Sequence, residues 1–160
     1  MIAKLMRWSG VALVLLSVAI QFVRPAKTNP VVNPATTIEA HAQVPSEVTA
    51  ILQRSCGDCH SHQTRWPWYS QVAPVSWFVI DHVNHGRKHL NLSDWARYNR
   101  REAEELLDGI CKTTKTGLMP LSSYLLLHRD AKLSQADVKA LCEWTDTERQ
   151  RLAYRSASPR

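Results

Sequence analysis

The sequence predicts an all-α protein, a small helical domain preceded by an N-terminal transmembrane helix. Three observations carry this. Apolar residues recur at helical spacing in successive segments, no segment alternates with period two for long enough to make a sheet, and one uncharged apolar run stands near the N-terminus. No internal repeat is present. At 160 residues, with both ends reading as non-core, the chain is expected to hold one domain.

Residues 8–23 form the apolar run, preceded by Lys4 and Arg7 and followed by Arg24. Ser17-Val18-Ala19 fits a small-residue cleavage site, but apolar character continues through Ile20, Phe22 and Val23. Residues 1–23 are therefore read as an uncleaved signal anchor, with a cleaved export signal as the alternative. The run would rise about 24 Å as a helix against a hydrocarbon core of about 30 Å, so Arg7 and Arg24 are expected to snorkel. In either case the rest of the chain is directed outward, and the basic groups before the run favour an inside N-terminus. Residues 24–45 carry Pro25, Pro30, Pro34 and Pro45, few large apolar residues and no helical period. They read as an extended linker with a reach of about 60 Å, and His41 within it as solvated.

The folded domain is expected over residues 46–152. Ser46, after Pro45, can cap a helix whose Val48, Ile51, Leu52 and Ser55 share one face, and that helix delivers Cys56 to its C-terminal end. Pro67 and Pro74 among Trp66, Trp68 and Tyr69 predict an aromatic loop. Helical spacing resumes over 75–90, with Val75, Phe78, Val79 and Val83 on one face and Asn91 at the end. Ser93 can cap the next segment, where Trp95, Tyr98, Leu106, Leu107 and Ile110 are apolar, with a break near Asn99 and a stop at Gly117. Ser134 and Asp137 make an S-x-x-D capping pattern for the last helix, Leu133 and Val138 a hydrophobic staple, and Val138, Leu141 and Trp144 or Thr145 its buried face. Residues 153–160 are expected to form a flexible tail.

The formal charge is +6 and the pI about 9.4. Of 20 basic residues, Lys4, Arg7, Arg24 and Lys27 flank the apolar run, and the remaining 16 nearly balance 14 acidic ones. Interspersed signs describe a solvated surface rather than a phosphate-binding stripe, so no nucleic-acid partner is expected.

Cys56-Gly57-Asp58-Cys59-His60 is a C-x-x-C-H sequence, the attachment pattern of c-type haem. Two thiols at this spacing on a tight turn can form thioethers to two vinyl-derived positions of one porphyrin, and the adjacent imidazole then lies beneath the iron. Cys56 and Cys59 are thus the candidate covalent attachments of one haem c, and His60 the candidate proximal iron ligand. A zinc site would need two more ligands beside Cys56 and Cys59, and thioredoxin-like chemistry would need a βαβ context; the sequence has no second C-x-x-C and no βαβ pattern.

The sixth iron position decides what such a haem does. Met119, in Gly117-Leu118-Met119-Pro120, is the one methionine outside the N-terminal segment, and the flanking Gly and Pro suit an irregular loop that presents a thioether. It is the leading distal ligand, and a core methionine is the ordinary alternative. His62 lies too near His60 to reach the opposite haem face. His82, His85 and His89 share a helical face but lack a completing ligand set, so they read as a polar stripe. His128 could hydrogen-bond a propionate or cap the apolar turn before it. Trp66, Trp68 and Trp77 are candidate walls of a haem pocket, with structural packing as the alternative, and Arg65 and Arg87 are candidates to neutralise propionates. Cys111 and Cys142, both on predicted helices, suggest a disulfide in an oxidising compartment, or else two separate buried thiols.

More specific strings extend the motif: Cys56-Gly57-Asp58-Cys59-His60-Ser61, Thr64-Arg65-Trp66-Pro67-Trp68-Tyr69-Ser70, Val72-Ala73-Pro74-Val75-Ser76-Trp77, Leu90-Asn91-Leu92-Ser93-Asp94-Trp95, Met119-Pro120 and Ala131-Lys132-Leu133-Ser134. With Tyr124 and His128, they make the chain resemble bacterial exported proteins with a single-haem "haem-binding domain". The resemblance implies a cytochrome c-like helical fold with Met119 in the distal position, and a bacterial N-terminal segment of the kind present here. Cys111 and Cys142 depart from the family's pattern, so the resemblance is silent on a disulfide.

The expected function is that of a membrane-anchored monohaem c-type cytochrome rather than an enzyme. It would pass one electron between redox protein partners on the periplasmic side of the bacterial cytoplasmic membrane. The alternatives are a haem-based peroxidase or small-ligand sensor with an open sixth position, and a haem-bearing subunit of a respiratory membrane complex.

Overall fold

The computed structural model describes residues 2–157, and among them every regular element is helical. Helix α1 (Ile2–Ala19) runs on into a 3-10 turn over Ile20–Phe22. Within it Lys4–Phe22, 19 residues, is long and apolar enough to cross a membrane, and none of that stretch is buried against the protein. Such a segment rises about 28 Å, a closer match to a hydrocarbon core of about 30 Å than the shorter run read from the sequence.

Residues 24–45 are not the extended linker that their prolines suggest. They lie along the domain as a strap. Ile38, in the short helix α2 (Ile38–His41), has no exposed surface and belongs to the core. Asn29 Nδ2 donates to the Thr64 carbonyl at 2.8 Å and Thr36 Oγ1 to the Ser93 carbonyl at 3.0 Å. Both backbone groups of Gln43 are taken by side chains of the last helix, the amide by Glu148 Oε1 (3.1 Å) and the carbonyl by Trp144 Nε1 (3.0 Å). A segment without a ladder of its own still has backbone groups to satisfy, and here distant side chains do it. Composition reports the missing ladder but not those partners.

Helix α3 (Ser46–Ser55) buries Val48, Ile51, Leu52 and Ser55, the face expected from their spacing. Its start differs in detail: the Ser46 hydroxyl makes no cap bond, and the Pro45 carbonyl accepts the first turn's bond from Thr49 N. The single turn α4 (Gly57–His60) follows directly. Helix α5 (Val75–His89) buries Ser76, Ile80, Val83 and Arg87, whereas Val75 and Phe78 are about half exposed. The buried stripe is thus displaced by about one residue from the apolar one, because Val75, Phe78 and Val79 face a cavity instead.

A 3-10 segment over Leu92–Arg97 leads to α6 (Arg100–Lys115). Asn91, not Ser93, caps the first of these, its Oδ1 accepting from Ser93 N; the Ser93 hydroxyl accepts instead from His62 N. Asn99 and Glu102 close a reciprocal capping box on α6. At the other end Gly117 takes φ +70°, and Leu118 N and Met119 N both donate to the Thr113 carbonyl. After the short turn α7 (Ser122–Leu125), α8 (Gln135–Ala157) opens on the Ser134–Asp137 pair, each bonding the other's backbone amide. Leu141, Trp144, Thr145 and Glu148 form its buried side, while Val138 is only partly covered. No Gly or Pro interrupts α8, so residues 153–157 are helical rather than tail. The rest of the expected tail, 158–160, lies outside the described residues.

Leu52, Trp95, Leu107, Leu141 and Trp144 meet Ile38 of the strap in one core. A disulfide joins Cys111 of α6 to Cys142 of α8, with S–S 2.07 Å and 31 residues of separation. Loop entropy for that separation corresponds to roughly 3–4 kcal/mol. Replacing both cysteines by serine is expected to lower the midpoint of thermal unfolding by on the order of 10 °C. An unchanged melt would show that core packing alone sets the stability of the α6–α8 pair.

Candidate functional site

Cys56 stands at the C-terminal end of α3, its amide bonded to Leu52 O, and the chain then turns once through α4. His60 N and Cys59 N both donate to the Cys56 carbonyl, at 2.9 and 3.2 Å. This turn puts both thiols and the imidazole on one short element. Cys56 and Cys59 are free and partly buried. Burial, reinforced by the neighbouring thiol, pushes Cys56 up to about 12; burial and then Asp58 push Cys59 up to about 11. Both are neutral thiols at pH 7, the opposite of a redox-active C-x-x-C pair, whose nucleophile works as a thiolate.

His60 is held from one side. Its Nδ1 lies 3.0 Å from the Gly86 carbonyl and 3.0 Å from the Leu90 carbonyl, both at the C-terminal end of α5. Two acceptors require Nδ1 to carry the proton, so Nε2 bears the lone pair, and it makes no hydrogen bond. Burial lowers the pKa of this imidazole and keeps it neutral. A neutral ring oriented through Nδ1 with Nε2 unengaged is the state in which histidine ligates a metal. The approach of α5 that makes this possible depends on Gly86: a Cβ there would lie 2.5 Å from the Cys59 carbonyl oxygen.

Asp58, inside the motif, is buried and occupied. Its Oδ1 accepts from Arg65 N at 3.0 Å, its Oδ2 from the Tyr124 hydroxyl at 2.7 Å, and its carbonyl from Thr64 Oγ1 at 2.6 Å. These bonds fold the loop after the motif back over it. Beside Cys59 opens an apolar cavity of about 140 Å³, walled by Val79, Val83 and Phe78 of α5, Leu121, and the tyrosines 69 and 124. Tyr69 hydrogen-bonds His128 Nε2 at 2.7 Å, and the Tyr124 ring stacks on His128 at 4.2 Å. Burial raises the pKa of both tyrosines, so both hydroxyls stay protonated. A larger cleft of about 640 Å³ touches Gly57, Asp58 and Ser61 but none of Cys56, Cys59 and His60, and it is largely polar. The smaller cavity is the one lined by a cysteine of the motif, Cys59.

The family model for the haem-binding domain matches residues 15–147. The chain belongs to that family. The match begins within α1 and includes the strap, as befits a segment that supplies Ile38 to the core of this haem-binding domain. No curated protein and no solved structure matches the chain.

The structure brings Cys56, Cys59 and His60 together, and it redistributes the other expected site residues of this haem protein. Trp66, Trp68 and Trp77 do not line the cavity. Trp68 is 78 % exposed, and Trp77 Nε1 donates to the Val23 carbonyl at 2.7 Å, tying down the end of α1. Arg87 is buried, with its guanidinium spent on Ser61 O, Thr28 O, Asn29 Oδ1 and Thr64 Oγ1 at 2.6–2.8 Å. It is the rivet between the strap and the motif loop rather than a group held out toward a propionate. Arg65 Nε reaches Asp58 at 3.4 Å. Met119 is half buried at the end of the α6 cap; it is not among the cavity's lining residues, whereas Leu121, two positions on, is.

Sequence reasoning passed over Tyr124, Val79, Leu121 and His82 as cavity residues. The signal available for α5 was its own surplus of apolar positions: a helix with one face in the core has a second use for Phe78 and Val79. His82 departs from the polar stripe and lines the cavity, its ring 4.0 Å from Phe78, while His85 and His89 remain exposed.

Proposed function

We propose that this haem-binding domain is a membrane-anchored monohaem c-type cytochrome with a cytochrome c-like fold, bound to haem through Cys56 and Cys59 and to its iron through His60. The observation that carries the reading is the geometry of His60, neutral and fixed through Nδ1 with Nε2 unengaged, immediately after two free thiols on one turn. Among the described residues no group of three or more His, Cys, Asp and Glu side chains gathers to hold a metal ion. One imidazole suits an iron whose other ligands come mainly from a porphyrin. The haem supplies a one-electron Fe(III)/Fe(II) couple. The protein's part is to orient His60 through α5, keep both thiols neutral, and offer an apolar wall beside Cys59.

Two features support an exported, tethered setting on the periplasmic side of a bacterial cytoplasmic membrane. The Cys111–Cys142 disulfide belongs in an oxidising compartment, and Lys4–Phe22 has the length and polarity of a membrane span. Met119 is the proposed sixth ligand, presented by the loop that Gly117 and Pro120 bound. Visible spectra of the ferric protein and of Met119→Ala test this: loss of the weak red-edge band of Met-ligated haem c is expected in the variant, with a lowered potential. Retention of the band in Met119→Ala would refute the assignment.

A second reading, peroxide or small-ligand chemistry at an open sixth position, draws on the Tyr69–His128 pair in the cavity wall beside Cys59. Rapid binding of carbon monoxide to the reduced protein, together with peroxidase turnover that Tyr69→Phe diminishes, would favour it over electron transfer.

A further inference from the structure

The end of α1 is clamped to the domain. Gln21 bonds Ala73 in both directions, Nε2 to the carbonyl at 3.1 Å and Oε1 from the amide at 2.9 Å. Trp77 Nε1 holds the Val23 carbonyl, and Lys27 Nζ lies 3.4 Å from the Ser70 carbonyl. No spacer therefore separates the apolar segment from residues 68–78. Around the clamp stand apolar side chains left about half or more exposed: Trp68, Val72 (45 % exposed), Val75 and Phe78. Val75 and Phe78 line the cavity beside Cys59, but Trp68 and Val72 do not, so filling that cavity leaves their exposure unaccounted for.

We propose that the domain docks on the surface of the lipid bilayer that α1 enters, through Trp68, Val72, Val75 and Phe78. The proposal rests on reading α1 as a membrane anchor. The bilayer is the occupant because the chain itself brings it there. Phe22 ends the candidate span, and its neighbours Gln21 and Val23 are hydrogen-bonded to Ala73 and Trp77, which fixes this face at the level of the outer interface. An exposed tryptophan suits that level, since its ring is amphipathic, and Arg24 and Lys27 add positive charge beside lipid phosphates. Docking sets the wall of the cavity at Val75 and Phe78 against lipid rather than open solvent.

The test uses the full chain carrying 5-fluorotryptophan, in nanodiscs whose phospholipids bear or lack a nitroxide near the headgroup, with each fluorine resonance assigned by its Trp→Phe variant. Trp8 lies within the candidate span and reports insertion of α1, while the core residues Trp95 and Trp144 serve as references. Trp8 and Trp68 are expected to lose more than half their intensity to the nitroxide, and Trp95 and Trp144 to keep theirs. Val72→Asp is expected to restore the Trp68 signal at least twofold. A broadened Trp8 with a sharp Trp68 would overturn docking and leave the anchor standing. An unbroadened Trp8 would overturn the anchor and docking with it. A Trp68 signal indifferent to Val72→Asp would reduce the contact to mere proximity and overturn the proposal.

Discussion

Replacing Cys56 and Cys59 together by alanine is expected to abolish covalently bound haem, leaving no haem-dependent stain at the protein's position after denaturing electrophoresis. Cys111 and Cys142 are committed to each other, so Cys56 and Cys59 are the thiols available for thioethers. Each single variant keeps one thiol on the α4 turn and is expected to retain reduced attachment. His60→Ala leaves both thiols in place, so its loss should appear in the iron's spectrum more than in attachment. Full haem retention through denaturation in the double variant would overturn the c-type reading while leaving haem binding itself intact. The effect is expected to be all or none, because a thioether survives unfolding and an iron–imidazole bond does not.

Gly86→Ala is expected to destabilise the domain and to impair haem incorporation, even though alanine is the better helix former by about 1 kcal/mol. The new Cβ would meet the Cys59 carbonyl oxygen at 2.5 Å, its carbon at 3.1 Å and the Cys59 Cβ at 3.2 Å. Backbone atoms cannot rotate away, so α5 must back off the motif. Overpacking of this kind typically costs about 1–3 kcal/mol. The shift also carries the Gly86 and Leu90 carbonyls away from His60 Nδ1, so damage to the fold and to the site should travel together. Gly109, mid-way along α6, is the control: nothing lies within 4 Å of a Cβ built there. Gly109→Ala is expected to raise the melting temperature slightly, by up to about 1 kcal/mol of stability. If Gly86→Ala melts at or above the parent with full haem content, the close approach of α5 to the motif is not what orients His60.

Much of the helical plan was legible because it rests on local chemistry. The Ser134–Asp137 pair, the stop at Gly117 and the break at Asn99 are decided within a few residues, and periodicity alone places Val48, Ile51 and Leu52 inward. The strap was not legible. Its prolines correctly forecast the absence of a long helix, yet the partners of Asn29, Thr36 and Gln43 lie 35, 57 and 105 residues away. Trp77 and Arg87 show the same limit from the other side. Both were expected at the haem pocket, but a side chain's identity does not say which acceptor the fold will bring to it, and here the acceptors include the Val23 and Thr28 carbonyls of the N-terminal segment.

By itself, the sequence determined the chemistry at hand: two thiols and an imidazole at a spacing that only one turn of chain can present, an apolar N-terminal segment, and helices ended by their own caps. These follow from covalent spacing and from hydrogen bonds within a few residues. Tertiary structure alone decided that His60 is neutral and aimed through Nδ1, since its orienting carbonyls, Gly86 and Leu90, lie at the end of α5, 26 and 30 residues on. It also decided that the apolar face of α5 walls a cavity, and that the domain is clamped to the end of α1 rather than held off on a long tether. Each of those depends on which distant groups come within about 3 Å of one another, a distance set by packing the whole chain and by no segment of it.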